Sequence, residues 1–165
     1  MAAICRQVPA GPARTFREAM QSLWFCVLAL LPSGVLSYGR FDSYMQPYYE
    51  ADIAAGRITD AEVLELLAWL RIRDSGMIIT AGQTHRSKYG GFAKWHNLGI
   101  GGQDPDGSDA TSALSYLLLE AARLCPVPHP TLTMRVHAGT PEPLMRKALK
   151  LVATGIGIPS MIGDK

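Results

Sequence analysis

The chain has 165 residues, 48% of them hydrophobic and 18% charged, and its 16 Lys and Arg nearly balance its 14 Asp and Glu. This length fits one domain, and scattered charge of this kind does not favour nucleic acid as the main partner. The longest apolar run, Leu23 to Leu31, is about half as long as a membrane crossing requires. The first residues lack the apolar stretch of a signal peptide, and the three cysteines form no CxxC motif, so we expect a cytoplasmic protein without a membrane anchor, disulfide framework or zinc site.

Two capping boxes predict the helices of the first half of the chain. Thr15–Glu18 is followed by apolar residues at helical spacing until Pro32 ends the run. Thr59–Glu62 begins the second helix in the same way. The apolar side of this second helix is formed by Val63, Leu64, Leu67 and Leu70.

The second half of the chain predicts two more helices and two short strands. Asp109 is the expected N-cap of the third helix, and Thr140–Glu142 begins the fourth, which Gly155 ends. Thr131–His137 alternates polar and apolar residues and predicts a half-buried strand, and the later run GIPSMI predicts another. This order predicts a crossover unit of an α/β sheet or barrel, and two strands alone make a poor domain.

The glycine-rich stretch WHNLGIGGQDPDGSD, which begins at Trp95, allows three interpretations. A phosphate site would need a third glycine, and the three aspartates would repel an anion. A calcium loop beginning at Asp104 has Ser115 at the twelfth position, where glutamate is required. A turn-rich loop whose Asp109 caps the next helix is the favoured interpretation.

No cluster of metal ligands or activated nucleophile stands out. The four histidines are not spaced as metal ligands, so solvated or hydrogen-bonded core histidines are expected at 85, 96, 129 and 137. Cys26 and Cys125 are expected to serve in packing. Cys5 lies beside Arg6, which leaves open a weaker hypothesis of independent catalysis through the Cys5 thiol.

Four long runs of the sequence resemble consecutive segments of the glycyl radical enzymes, the pyruvate formate-lyase-like family. The similarity extends from about Ile4 to Asp164. The runs are VPAGPARTFREAMQSLWF, GRFDSYMQPYYEADIAAGRIT, NLGIGGQDPDGSDATSALSYLLLEA and TMRVHAGTPEPLMRKALKLVATGIGIP.

The resemblance implies an α/β fold, a partial ten-stranded glycyl-radical-enzyme barrel that is mostly helical with a few short strands. In that family an activating enzyme creates a protein-derived glycyl radical, which generates a thiyl radical on a barrel cysteine. The thiyl radical then cleaves carbon–carbon or carbon–heteroatom bonds of a small-molecule substrate. The implied partners are therefore a small-molecule substrate, a radical-activating enzyme and a second copy in a homodimer.

The resemblance covers residues 1–165 as a single segment from the middle of such an enzyme. The family's cysteine lies in a Gly-Cys-x-Glu loop and its radical glycine in an Arg-x-x-Gly-Tyr motif, and neither occurs in this sequence. No catalytic residue, metal ligand or bound cofactor is therefore expected in this chain.

The resemblance does assign parts of a substrate-pocket wall. The loop before the GRFD run contributes pocket positions in the family, and these fall on Ser33, Gly34 and Val35. The region before the glycine-rich loop adds Phe92 and Trp95. Dehydratase members tend to have a His-Ser pair where this chain has Gly34 and Val35, which argues against diol dehydration.

Two functional hypotheses follow. The first is an inactive fragment of a glycyl radical enzyme: a gene remnant, the product of a truncated gene prediction, or one part of a split enzyme. Such a fragment is expected to fold poorly alone. The second is a non-catalytic interaction protein, or split-enzyme subunit, that binds a full-length relative.

Overall fold

A computed structural model gives the fold and describes residues 1–30, 35–77 and 95–164, with Val35 and Trp95 described by their backbone alone. The described part of the chain contains helices and short strands. In chain order they are α1 (Ala2–Gln7), α2 (Phe16–Leu30), β1 (Val35–Arg40), α3 (Phe41–Ala54), α4 (Asp60–Gly76), β2 (Trp95–Gly101), α5 (Ala113–Leu124), β3 (Thr131–Val136), α6 (Glu142–Val152) and β4 (Ser160–Gly163). None of these helices is both long and apolar enough to cross a bilayer.

The four strands form one parallel sheet in the order β1-β2-β3-β4. Each strand therefore lies beside its neighbours in the chain, and the helices between them act as crossovers. The predicted unit of β3, α6 and β4 is confirmed. The strands β1 and β2 extend it, and β2 occupies the first half of the stretch that we expected to be a loop.

The predicted helix starts are correct in two cases and displaced in two. Thr59 and Glu62 form the complete capping box of α4, because Glu62 N–H donates to Thr59 Oγ1 at 3.3 Å and Thr59 N–H to Glu62 Oε2 at 2.9 Å. At α2, Thr15 Oγ1 accepts from the N–H of Glu18, but the Glu18 carboxylate accepts from the N–H of Arg14 instead of closing the box.

Asp109 does not cap the third helix, so that prediction was wrong. The N-cap of α5 is Ser112, whose N–H donates to Ser115 Oγ at 3.0 Å. Asp109 lies too far before the helix and accepts a hydrogen bond from the Thr111 hydroxyl. The start of α6 also moves, because Thr140 Oγ1 accepts from the N–H of His137 while the helix begins at Glu142.

The core lies between the helices and one face of the sheet. Alternate strand residues point to opposite faces, and those that reach the core are Tyr38, His96, Leu98, Ile100, Leu132 and Met134. Helix α3 packs on β2 and α5, and α5 packs on α4. The hydrophobic effect therefore acts mainly on one face of the sheet.

Asp42 joins three elements at the carboxyl end of β2. Its fully buried Oδ2 accepts hydrogen bonds from the N–H of Gly101 at 2.7 Å and from the Ser115 hydroxyl at 2.5 Å. Burial raises the pKa of this carboxyl, and the two hydrogen bonds oppose that effect. Asp42 thus ties the start of α3 to β2 and α5.

Gly102, directly after β2, is a position that only glycine fills without strain. Its φ is +88°, and a Cβ there would lie 2.9 Å from Asp164 Oδ2 and 3.0 Å from Arg135 Cβ. Gly107, in the turn that follows, has a similar φ of +85° but no atom within 4 Å of the same added Cβ.

We predict that Gly102→Ala destabilises the chain more than Gly107→Ala. Both variants carry the left-handed backbone cost of about 1–2 kcal/mol, but only Gly102→Ala adds overpacking, which costs about 1–3 kcal/mol. Urea unfolding of the two variants measures the difference. Equal losses of unfolding free energy in the two variants would show that Arg135 and Asp164 do not lie against Gly102.

We predict that Asp42→Asn is less stable than wild type and that this difference in unfolding free energy becomes smaller as the pH rises. A raised native pKa means that the Asp42 carboxyl favours folding most below its unfolded pKa of about 4, and that this contribution is lost as the pH increases. Asparagine does not titrate, so the gap in unfolding free energy between wild type and Asp42→Asn should narrow as the pH rises above about 4. Urea unfolding at a series of pH values tests the sign, and a gap that widens with pH would contradict it.

Candidate functional site

The candidate site is the face of the sheet that the described helices leave uncovered, called here the open face. Its described side chains on β2 and β3 are polar, as is Ser37 of β1: they are Ser37, Asn97, Thr131, Thr133 and Arg135. Ser37 is exposed and the other four are half-buried. The register adds Ser160 and the apolar Ile162 of β4 to the same face. The register places Asn97 between Ser37 and Thr131. Three neighbouring strands therefore contribute to one polar surface.

Asn97 is oriented by its neighbours on the open face. The Thr133 hydroxyl donates to Asn97 Oδ1 at 2.7 Å, while the Thr131 hydroxyl donates to the carbonyl oxygen of His96 at 2.8 Å. Because Oδ1 is occupied, the amide N–H donors of Asn97 are left to bind a ligand. A ligand on this face would therefore be recognised through acceptor oxygens.

The structure brings two of the five pocket residues predicted by the resemblance together. Val35 and Trp95 are paired at the first position of β1 and β2, two residues before Ser37 and Asn97. Ser33, Gly34 and Phe92 lie outside the described residues. The assignment of all five to a substrate pocket stays a prediction.

A buried hydrogen-bond network holds the same two strands from the helical side. Asp74 of α4 accepts from the Tyr38 hydroxyl of β1 at 2.7 Å, and its Oδ1 also lies 2.7 Å from Nδ1 of His96 on β2. A carboxylate only accepts, so His96 Nδ1 carries the proton of this bond. Burial, followed by the charge of Asp74 and the hydrogen bond to it, raises the pKa of Tyr38 far above its ordinary range.

Arg71, one turn earlier on α4, holds the segment that leads into β3. Its guanidinium donates to the carbonyl oxygens of Cys125 at 3.2 Å, Val127 at 2.6 Å and Pro130 at 3.1 Å. Burial lowers the pKa of Arg71 to about 10, which leaves the side chain charged at neutral pH. The last of these carbonyls belongs to the residue directly before β3.

The opposite end of the sheet is tied by one ion pair and by one hydrogen bond from a histidine to a carboxylate. Asp164 accepts from Arg135 Nε at 2.9 Å, and Asp109 Oδ1 lies 3.0 Å from His137 Nε2. Because the N–H of Gly139 donates to Nδ1 of His137, the imidazole proton lies on Nε2 and is donated to Asp109. Asp109 thus joins two loops, a role that its capping pattern did not predict.

The prediction of hydrogen-bonded histidines is confirmed at His96 and His137, and His85 lies outside the described residues. The described ranges contain no group of three potential metal ligands. The cysteine prediction is only partly correct. Cys26 is exposed and not packed, because it lies on the outer side of α2. Cys5 is exposed and Cys125 is half-buried.

The sequence contains a signal for Arg71 and Asp74 in the spacing of α4. Arg71 lies four residues and Asp74 seven residues after Leu67, on the apolar side of the helix. Charged residues on such a stripe are buried only when they have partners. Asn97 gave a weaker signal, because its polar partners come from a strand more than 30 residues away.

Sequence comparison places the whole chain in one family. A family model described as "Pyruvate formate lyase-like" matches residues 1–165. The isethionate sulfite-lyase of Nitratidesulfovibrio vulgaris is 38% identical over 170 residues, which include 100% of this chain and 20% of the relative. The indoleacetate decarboxylase of Tractidigestivibacter scatoligenes is 35% identical over 167 residues, with 97% of this chain and 19% of the relative covered.

Structure comparison agrees. A structure reported for 1,2-propanediol dehydration in Roseburia inulinivorans matches with a TM-score of 0.91 and 34% identity, covering 98% of this chain and 21% of the other. The B12-independent glycerol dehydratase from Clostridium butyricum, in its glycerol-bound form, matches with a TM-score of 0.87 and 34% identity over the same shares of the two chains. A glycyl radical enzyme from Archaeoglobus fulgidus matches with a TM-score of 0.86 and 31% identity, covering 98% of this chain and 21% of the other.

These matches confirm the expected partial barrel, and the chain spans about a fifth of the length of its relatives. The position of this fifth within the longer chains stays a prediction. The complete coverage of the chain, the identities above 30% and the shared fold lead to one conclusion. The chain belongs to the pyruvate formate lyase-like family of glycyl radical enzymes.

Proposed function

We propose that this chain forms part of the barrel wall of a glycyl radical enzyme, with its open face turned toward the reaction chamber. The observation that carries the proposal is the parallel sheet, whose strands follow chain order and whose helices cover one face. Parallel sheets in α/β proteins are normally covered on both faces. In an intact barrel, the remaining strands and the substrate would cover the open face.

In this role the chain contributes binding surface and does not carry the radical. None of its cysteines lies on the sheet: Cys5 and Cys26 are on α1 and α2, and Cys125 directly follows α5. A thiyl radical on any of them would form outside the chamber. We therefore infer that the isolated chain is inactive and that the radical cysteine and glycine belong to other segments of the intact enzyme.

The substrate class that suits the open face is a small polar molecule with acceptor oxygens. The amide N–H donors of Asn97 would bind such oxygens, and the five pocket positions at and before the starts of β1 and β2 would form the adjoining wall. Gly34 and Val35, in place of the His-Ser pair of dehydratases, favour a reaction other than diol dehydration.

The partners of the intact enzyme follow from this assignment. They are a radical-activating enzyme and a second copy of the enzyme, in the cytoplasm. The free cysteines of the chain fit a reducing compartment.

One observation favours a second function, in which the chain binds a full-length relative or the other part of a split enzyme. All four residues of β4, an edge strand, are exposed, and Ile162 is 54% exposed. Leu149 and Val152 of α6, the helix that precedes β4 in the chain, are 52% and 40% exposed. An unprotected edge strand and exposed apolar side chains favour association with another chain.

The test is a hybrid in which residues 1–165 replace the matching segment of the isethionate sulfite-lyase from Nitratidesulfovibrio vulgaris. We predict that the hybrid folds and, after anaerobic treatment with the activating enzyme of that relative, gives an organic radical signal in electron paramagnetic resonance. The isolated chain, treated identically, should give none.

Each arm of this experiment has a contradicting result. A radical in the isolated chain would show that it carries its own radical residue. A hybrid that does not fold would show that the chain is not an equivalent wall. Tagged chain mixed with the intact relative tests the second function, which requires co-elution at a fixed ratio.

A further inference from the structure

Helix α4 buries a pair of opposite charges near its end. Arg71 is 4% exposed and Asp74 is fully buried, and their spacing of three residues places them on the same side of the helix. Taking charges out of water costs free energy that an apolar pair at the same positions would not incur. Burial of apolar surface therefore does not explain why charged residues occupy these positions.

The hydrogen bonds of the pair go to β1, to β2 and to the residue directly before β3. Asp74 binds Tyr38 of β1 and His96 of β2, and His96 directly follows Trp95. Arg71 binds the carbonyl of Pro130, which directly precedes β3. Two residues one turn apart thus reach β1, β2 and the entrance to β3.

Directional contacts fix positions more narrowly than apolar packing does. The planar guanidinium of Arg71 donates along set directions to three carbonyls, and Oδ1 of Asp74 receives a hydroxyl and an imidazole N–H at 2.7 Å each. Moving β1 relative to β2 would lengthen at least one of these bonds in a low-dielectric interior, where an unpaired polar group is costly.

We propose that Asp74, supported by Arg71, is a positioning residue that sets the place of Trp95 and Val35 in the wall of the substrate pocket. Only the description of this place as a substrate pocket rests on the proposed function. Asp74 touches no substrate: it acts through His96, the residue after Trp95, and through Tyr38, three residues after Val35.

The test reads Trp95 directly in the full chain. Trp24→Phe and Trp69→Phe leave Trp95 as the single tryptophan, and its emission maximum and acrylamide quenching report its surroundings. Trimethylamine N-oxide, which strengthens burial, is included in every sample to favour the folded state. In this background we compare Asp74→Ala, Asp74→Asn and Tyr38→Phe.

We expect Asp74→Ala to shift the Trp95 emission maximum and to increase quenching. Asp74→Asn should restore values close to those of the parent, because the asparagine Oδ1 still accepts from Tyr38 and His96. Tyr38→Phe removes a single hydrogen bond and should give a smaller shift in the same direction. This variant replaces Asp74→Ala in the comparison if Asp74→Ala does not fold.

The matched control is Asp42→Ala, which removes a buried carboxylate at the other end of the same sheet. It should lower the urea midpoint without moving the Trp95 signal. An unchanged signal in both Asp74→Ala and Tyr38→Phe, or an equal shift in Asp42→Ala, would overturn the proposal. Because no radical is measured, this outcome is separate from that of the hybrid enzyme.

Discussion

Cover on both faces is the condition under which a parallel β-sheet is normally found, and in the described part of this chain the helices supply it on one face. The strands reflect this division. His96, Leu98 and Ile100 of β2 are buried against the helices, whereas Asn97 between them is half-buried. In the described part of the chain the open face is uncovered and the β4 edge is exposed, so neither resembles a finished surface. Both features are accounted for when the sheet is part of a larger barrel.

Polar groups decide the geometry of this sheet at both ends. Asp42 receives the last N–H of β2 and the hydroxyl of Ser115, and Asp74 receives the groups of Tyr38 and His96. Apolar burial fixes which side chains of each strand meet the helices. The buried hydrogen bonds to Asp42 and Asp74 restrict the register further, since a shifted strand would leave a donor or acceptor unpaired.

Local sequence rules predicted the elements whose signals are local. The Thr59 box of α4 and the alternation of β3 are confirmed because capping and period-two burial depend on nearby residues. The glycines of Trp95–Gly101 have low strand preference, so local rules predict a loop there. Pairing with β1 and β3 makes it a strand, and that pairing comes from residues about 30 to 60 positions away.

The candidate site was predictable only in part for the same reason. The resemblance pointed to Val35 and Trp95, and the backbone pairs them. It did not point to Asn97, Arg71 or Asp74. Their roles depend on partners brought together by the crossovers, such as Thr133 for Asn97 and Pro130 for Arg71. Asp109 shows the opposite case, because its local sequence predicts an N-cap that the structure does not form. Ser112 is the N-cap of α5, and Asp109 is hydrogen-bonded to His137 instead.

The central claim is that the open face lines a chamber, and the reactivity of a cysteine placed on it tests this most directly. In a background with Cys5, Cys26 and Cys125 changed to serine, Ser37→Cys is labelled with a maleimide, and Asp106→Cys, in an exposed turn, is the control. Cys-directed labelling at position 37 should be fast in the isolated chain and strongly slowed in the hybrid with the sulfite-lyase, while position 106 reacts in both. Equal labelling of position 37 in the two proteins would contradict the claim.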